Sequence, residues 1–238
     1  QPADLHWNSD FMRQSRLSFV NGIMPDTCQS CVRNESVGIT SRRHRMNQRY
    51  LGTEDPSFDD EKVQQLLSKT SEDGSFSMDI IGVEIGGDNT CQLRCIQCSP
   101  SYSKSINKDY EKLGWDHNKK NRLPIEVRNE TSLDQLFENL KPLVPKLQWL
   151  KFVGGEPSIN KPLANFIDWC IENNHAQNIF LLCTTNAANV KDPWIEKISY
   201  FKKTLLGISV DGVGALDEWI RWPTNWAKKE QNIKKLMN

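Results

Sequence analysis

A chain of 238 residues has room for one substantial hydrophobic core, or for one core and a small satellite module, but not for two full-sized domains. Its 37% hydrophobic and 25% charged residues fit a globular class, and no run approaches the roughly 20 apolar residues of a membrane span. Thirty basic residues balance thirty acidic ones, which gives no whole-surface attraction to nucleic acid or anionic lipid; a local basic patch, Arg42, Arg43, His44 and Arg45, reads as solvated surface.

The opening residues Gln1 to Trp7 lack both a basic start and an apolar run, so they do not read as a signal peptide, and the missing initiator Met reads as processing or a fragment. Residues 1–52 are expected to form a small module around Cys28 and Cys31, ordered by bound metal more than by a core. Within it Asp10–Val20 is a predicted helix, because Phe11, Leu17 and Val20 fall near one face; the rest is weakly patterned. Residues 53–75 form a connector: Thr53–Ser57 is polar and holds a proline, and Asp59–Leu67 is a short predicted helix with Val63, Leu66 and Leu67 inward.

From residue 76 to 238 the pattern alternates strand and helix. Met78–Ile85 is the first predicted strand and runs through Gly86-Gly87-Asp88-Asn89-Thr90 to Cys91. The polar stretch Ser99–Asn129 reads as a loop with a short helix around Tyr110, of a length that is usually functional or mobile. A helix capped by Thr131 or Ser132 buries Leu133, Leu136, Phe137 and Leu140, and Leu147–Val153 is the second strand, followed by Gly154-Gly155-Glu156-Pro157. Pro162 opens a helix that buries Leu163, Phe166, Ile167, Cys170 and Ile171. Ile179–Thr184, nearly all apolar, predicts a third strand covered on both faces. Asp192 is expected to cap a helix through Trp194, Ile195 and Ile198; Leu205–Val210 is the fourth strand, ending at Asp211-Gly212; Thr224 is expected to cap a last helix with Trp226, Ile233 and Leu236.

Four strands separated by helical crossovers predict an α/β fold with a parallel sheet. Binding groups in such sheets gather at the carboxyl ends of the strands. Those positions hold Cys91 to Cys98, Gly154 to Pro157, Thr185 with Asn186, and Ser209 with Asp211.

Seven cysteines, an odd number with five in two tight groups, argue against a disulfide scaffold and for metal ligation in a reducing compartment, so a cytoplasmic location is expected. Cys91, Cys95 and Cys98 put three thiolates within eight residues, and sulfur ligation selects zinc, copper(I) or iron-sulfur. Structural zinc wants a fourth ligand, and the next histidine, His117, stands nineteen residues beyond Cys98. Three ligands instead leave one corner of a cubane open. Cys28 and Cys31 fall short of a closed site, and fit zinc, a redox dithiol or half a cluster site. Cys170 and Cys183 read as core.

The run Cys91-Gln92-Leu93-Arg94-Cys95-Ile96-Gln97-Cys98 resembles the cluster loop of the radical S-adenosylmethionine (radical SAM) enzymes. That resemblance implies a [4Fe-4S] cluster on the three cysteines, with the fourth iron chelated by the amino and carboxylate groups of S-adenosylmethionine. Gly154-Gly155-Glu156-Pro157 resembles the strand-two motif that receives the methionine amino group, Thr184-Thr185-Asn186 the strand-three end lining the cofactor pocket, and Ser209 and Asp211 the groups that bind ribose. Two positions depart from the family pattern: Gln97 stands where an aromatic residue is frequent, and Ala187 where glycine is. Trp7-Asn8-Ser9, Arg16, Gly22, Pro25, Cys28, Cys31, Glu35, Gly38 and Ser41-Arg42-Arg43 resemble the SPASM/twitch auxiliary modules, implying an auxiliary iron-sulfur cluster, or else zinc, with further ligands upstream of Gln1.

The resemblance over residues 76–238 implies a partial (β/α) barrel, about four of six units, truncated before its last two. The implied activity is reductive cleavage of S-adenosylmethionine to methionine and a 5'-deoxyadenosyl radical that abstracts hydrogen from a substrate, with electrons from a one-electron reductant such as flavodoxin or ferredoxin. Relatives with auxiliary clusters point to a peptide or protein substrate; a carbohydrate or nucleotide precursor stays open. No protein side chain is singled out as catalytic, and neither a membrane partner nor a nucleic-acid partner is signalled. A non-catalytic iron-sulfur or zinc-stabilised binding module is the reading from a different class.

Overall fold

The computed structural model describes residues 7–57, 59–77, 80–115 and 132–237; the expectations placed on Met78, His117 and Thr131 lie outside them. The chain packs as two compact units, Gln1–Asp79 and Ile80–Asn238. No helix among the described residues is long and apolar enough to cross a membrane.

The first unit carries α1 (Asp10–Val20), a 3-10 turn at Asp26–Cys28, α2 (Gln29–Ser36), α3 (Arg42–Tyr50) and α4 (Glu61–Leu67). Helix α1 falls where the apolar spacing predicts it. Helices α2 and α3 are additions to the sequence reading, for a physical reason: QSCVRNES and RRHRMNQRY have no apolar stripe, and none of the four helices buries a residue fully. Polar contacts take over part of the work. The Arg16 guanidinium lies 4.8 Å from the Trp7 ring and donates to the Trp7 carbonyl at 2.5 Å and the Gly74 carbonyl at 3.1 Å.

The basic patch is divided in two, which corrects its reading as solvated surface throughout. Ser41 caps α3 by accepting from the His44 amide, and this turns Arg43 and His44 inward while Arg42 and Arg45 stay exposed. Arg43 donates to both Glu35 carboxylate oxygens at 3.0 and 2.8 Å, Ser41 donates to Glu35 at 2.5 Å, and Asp55 stands 3.3 Å from Arg43 and 3.2 Å from His44.

The second unit contains β1 (Gly82–Gly86), α5 (Lys104–Lys112), α6 (Leu133–Leu140), β2 (Trp149–Val153), α7 (Lys161–Glu172), β3 (Phe180–Thr185), α8 (Asp192–Ser199), β4 (Lys203–Ile208), α9 (Ala215–Ile220) and α10 (Trp226–Met237). The strands form a four-stranded parallel sheet in the order β1-β2-β3-β4. A doubly wound sheet reverses its strand order at a switch point, whereas this one advances in a single direction, as a (β/α) barrel does. The arrangement is consistent with a segment of such a barrel.

Alternation along the strands sets the core. Leu150, Phe152, Leu181 and Cys183 point to one face and pack with Phe137, Leu140, Phe166, Ile167, Cys170 and Ile198 from α6, α7 and α8. Phe137 and Phe166 stack at 4.5 Å between ring centres. The opposite face carries Glu84 and Lys151, cross-strand partners joined at 3.1 Å, together with half-buried Leu182 and exposed Thr184. This corrects the expectation of a third strand covered on both faces: the described helices that build the core pack against one side of it.

Caps follow local chemistry. Ser132 accepts from the Gln135 amide and Asn160 from the Leu163 amide, with Pro162 in the first turn of α7. Asp192 lies inside the first turn of α8, with Lys191 in the cap position, and Asn225, one residue after Thr224, accepts from the Lys228 amide at 3.0 Å to start α10. Both starts are corrected by one residue. Thr224 instead donates to the Arg221 carbonyl at 2.6 Å.

The Arg43 guanidinium and the Ser41 hydroxyl hold the Glu35 carboxyl down to about 2, against an ordinary value of 4.5. A carboxyl with a depressed folded-state pKa contributes stability above its unfolded value and loses it as pH falls through the folded one. Acid weakening of the first unit is therefore expected between about pH 4.5 and 2, and denaturant titrations of a Glu35→Gln variant are expected to show a flatter pH dependence in that window. An unchanged pH slope would count against this role for the carboxylate.

Candidate active site

The exits of β1 and β2 are zipped together before any side chain is considered. Gly87 donates its amide to the Val153 carbonyl, Gly155 to Asp88 at 3.0 Å and Glu156 to Thr90 at 2.7 Å. Gly154 takes a φ of +126°, and a Cβ on Gly155 would overlap the Thr90 carbonyl, so this approach admits only glycine at either position. The sequence Gly154-Gly155-Glu156 thus comes to lie directly against the segment that leads into Cys91.

The cysteine loop is fixed from its other side by the far end of the chain. The Arg94 amide donates to the Trp222 carbonyl at 2.5 Å and the Ile96 amide to the Ile220 carbonyl at 3.0 Å. Ser103, the cap of α5, donates to the Leu93 carbonyl at 2.6 Å, while Ser105 reaches the Cys91 and Gln92 carbonyls at 3.2 and 3.1 Å. Leu93 is buried beneath the loop.

Above this frame opens a cavity of about 360 Å³. It is lined by Cys91, Cys95, Gln97, Cys98, Ser99 and Tyr102 from the cysteine loop and the residues after it, by Gly154, Gly155 and Glu156 after β2, and by Thr184, Asn186, Ser209 and Arg221. The three thiols are free of disulfides, Cys95 buried and the other two half-buried. Burial pushes the Cys91 thiol up to about 11 and raises Cys95 as well. The Asn186 amide donates to Cys91 Sγ at 3.7 Å and Arg221 Nη1 to Cys95 Sγ at 3.9 Å.

Among the described residues, no three His, Cys, Asp or Glu side chains converge on a position for a single ion. An iron-sulfur cubane takes each thiolate on a different iron, so its ligands line a recess instead of meeting at a point. Three soft donors lining one cavity, two of them met by N–H groups, form a donor set that suits zinc, copper(I) or an iron-sulfur cluster.

Glu156 is 2% exposed, and its carboxylate accepts four hydrogen bonds. Oε1 takes the Ser158 amide at 3.2 Å, the Ser158 hydroxyl at 2.6 Å and the Thr185 hydroxyl at 2.6 Å; Oε2 takes the Asn186 amide at 2.7 Å. Among the described residues Oε1 is saturated, whereas Oε2 has one partner and a lone pair to spare for a cation in the cavity.

The structure brings together most of the positions singled out from sequence. Gly154, Gly155, Glu156, Asn186 and Ser209 line the same cavity as the three cysteines. Thr185 stands behind Glu156, 1% exposed, and its neighbour Thr184 reaches the wall. Asp211 is engaged by Gln97 Nε2 and by Arg221 Nη2, the latter at 2.6 Å. Ala187 adopts a φ of +56°, the left-handed turn that glycine would take without cost, and its carbonyl accepts from Asn232 at 2.8 Å. Cys28 closes the 3-10 turn of the first unit and Cys31 lies in the first turn of α2, both half-buried free thiols.

Arg221 escaped the sequence reading. No spacing marks it, because α9 is short and only the folded chain carries its side chain back to Cys95. The same holds for the buried ion pair of Asp217 and Lys229, 2.6 Å apart and both 0% exposed.

No protein-family model matches this chain, and no curated protein matches it. Solved structures that it resembles include three of SuiB from Streptococcus suis. These are the form bound to S-adenosylmethionine (14% identity, TM-score 0.43, 96% of this chain and 46% of that one), the form bound to precursor peptide SuiA (14%, 0.43, 88% and 43%), and SuiB alone (15%, 0.40, 96% and 45%). The chain spans less than half the length of each.

Thr185→Val removes a donor from the buried Glu156 carboxylate and an acceptor from the Ala187 amide, which Thr185 Oγ1 holds at 3.0 Å. A loss of about 1–3 kcal/mol in unfolding free energy is expected. Gly155→Ala, which forces the β1 and β2 exits apart, is expected to lose about as much by overpacking. Urea denaturation of both variants tests this, and wild-type stability in either would refute the tight joint.

Proposed function

We propose that this chain is a radical SAM enzyme: Cys91, Cys95 and Cys98 hold a [4Fe-4S] cluster, and the adjoining cavity receives S-adenosylmethionine. One observation carries the reading, namely that three thiols from a single eight-residue loop share a cavity of about 360 Å³ with the Gly154-Gly155-Glu156 turn and the polar ends of the next two strands. When bound, the cluster and S-adenosylmethionine together supply one-electron reduction and hydrogen abstraction from a substrate.

The chain's own residues bind and orient. Glu156 Oε2 offers its free lone pair to the methionine ammonium, a charge-assisted contact favoured by the buried setting. Gly154 and Gly155 let the backbone approach the ligand without side-chain obstruction. Asn186 and Ser209 supply polar contacts from the carboxyl ends of β3 and β4. Thr185 acts through Glu156, and Asp211 through Gln97 and Arg221.

The finer assignments belong to the same proposal. Residues 1–52 act as part of an auxiliary module in which Cys28 and Cys31 bind a second cluster or zinc, residues 53–75 connect, and residues 76–238 form the core. The substrate class proposed is a peptide or protein, and the electron donor a flavodoxin or ferredoxin.

Anaerobic reconstitution with iron and sulfide, followed by electron paramagnetic resonance of the reduced protein with and without S-adenosylmethionine, tests the reading. A low-temperature signal that shifts on adding S-adenosylmethionine is expected, and a triple Cys91→Ala, Cys95→Ala, Cys98→Ala variant is expected to lose about four irons per chain. A reduced, folded protein with a spectrum indifferent to S-adenosylmethionine would favour the non-catalytic binding module instead.

A further inference from the structure

Among the described residues, Cys95 is the one thiol at the cavity that meets a positive charge. Arg221 Nη1 donates to Cys95 Sγ at 3.9 Å, whereas Cys91 meets the neutral amide of Asn186 at 3.7 Å and Cys98 donates to the Ser99 carbonyl at 3.7 Å. Arg221 is itself held on several sides. Nη2 pairs with Asp211 at 2.6 Å, Nε lies 4.0 Å from Asp217 Oδ1, and the peptide groups flanking Arg221 accept from the cysteine loop at Arg94 and Ile96. Asp217 is fixed by Lys229 at 2.6 Å and by the Asp211 amide at 3.2 Å. The Arg221 side chain is 13% exposed, and its Nε is buried without a hydrogen-bond partner among the described residues.

A guanidinium this well anchored costs side-chain entropy and desolvation, and the ion pair with Asp211 alone does not require it to lie over a thiol. The position makes sense for a sulfur that gains negative charge. Cluster potentials are set by net charge, burial and hydrogen bonds to the ligating sulfurs, and groups behind the ligands tune the metal centre. A partly buried cationic N–H donor at one thiolate stabilises the more negative, reduced state. Asp211 and the Asp217–Lys229 pair keep that donor from swinging away.

We propose that Arg221 is a positioning residue that raises the reduction potential of a cluster bound at Cys95. Asp211, a ribose ligand by family resemblance, serves here as the tether that aims it. The inference rests on the cluster reading above and goes beyond it, since that reading needs only the three thiolates.

The test is a redox titration followed by electron paramagnetic resonance on the reconstituted protein, wild type against Arg221→Gln, with iron and sulfide content measured on each. The glutamine variant is expected to keep its iron and sulfide and to titrate at a more negative potential, by about 59 mV if the reduced-to-oxidised ratio at fixed potential falls tenfold in this one-electron couple. If Arg221→Gln does not fold, Arg221→Lys decides in its place. It keeps the cation beside Asp211 but loses the two-armed fork, so a smaller shift in the same direction is expected. An unshifted potential at equal iron content would overturn the role of Arg221 and leave the cluster standing. A wild-type protein that takes up no cluster would overturn both.

Discussion

A carboxylate removed from water costs on the order of several kcal/mol unless its lone pairs are met, and removing one partner of such a group leaves the penalty exposed. Glu156, 2% exposed, meets the requirement by drawing donors from two strand exits. Ser158 follows it in its own turn, while the Thr185 hydroxyl and the Asn186 amide come from the end of β3. The same Asn186 then donates to Cys91 from its side chain. The geometry of the cavity therefore hangs on one buried charge. The turn after β2, the turn after β3 and the first thiol are placed relative to each other because the carboxylate needs them all.

A second buried charge does the corresponding work on the far wall. Asp217 and Lys229 are fully enclosed, and a pair of that kind tolerates little displacement of either partner. It joins α9 to α10, and through the Asp211 amide it fixes the exit of β4. Arg221 sits between this pair and the cysteine loop. The two charge systems differ in kind: Glu156 is satisfied by neutral donors and keeps one lone pair available, whereas Asp217 is neutralised internally and offers the cavity nothing directly.

The α/β alternation was legible because its signals are local. Leu133, Leu136, Phe137 and Leu140 repeat at helical spacing behind the Ser132 cap, Pro162 stands in the first turn of the next helix, and short apolar runs mark β2 and β3. Glycines at 154 and 155 stood out as a motif, but their packing against the backbone of Gly87 and Thr90 is a contact across the sheet that no local spacing marks. Helices α2 and α3 were illegible for the opposite reason: their order comes from contacts such as Glu35 with Arg43, which leave no apolar period. Apolar content alone led to expecting β3 covered on both faces, because hydrophobicity does not say which side the helices will take. Arg221 was out of reach because its partners, Cys95 and Asp211, are related to it by the fold and not by spacing.

The attachment of the cysteine loop to Ile220 and Trp222 has a temporal side. The amides of Arg94 and Ile96 find their acceptors only in a segment about 125 residues further along the chain. At a synthesis speed of roughly 5–20 residues/s, the three thiols leave the ribosome on the order of 6–25 s before the backbone that holds them exists. During that interval the loop has only its nearer contacts, such as those from Ser103 and Ser105, so faithful loading of the cavity belongs after the segment from Ile220 to Trp222 has docked.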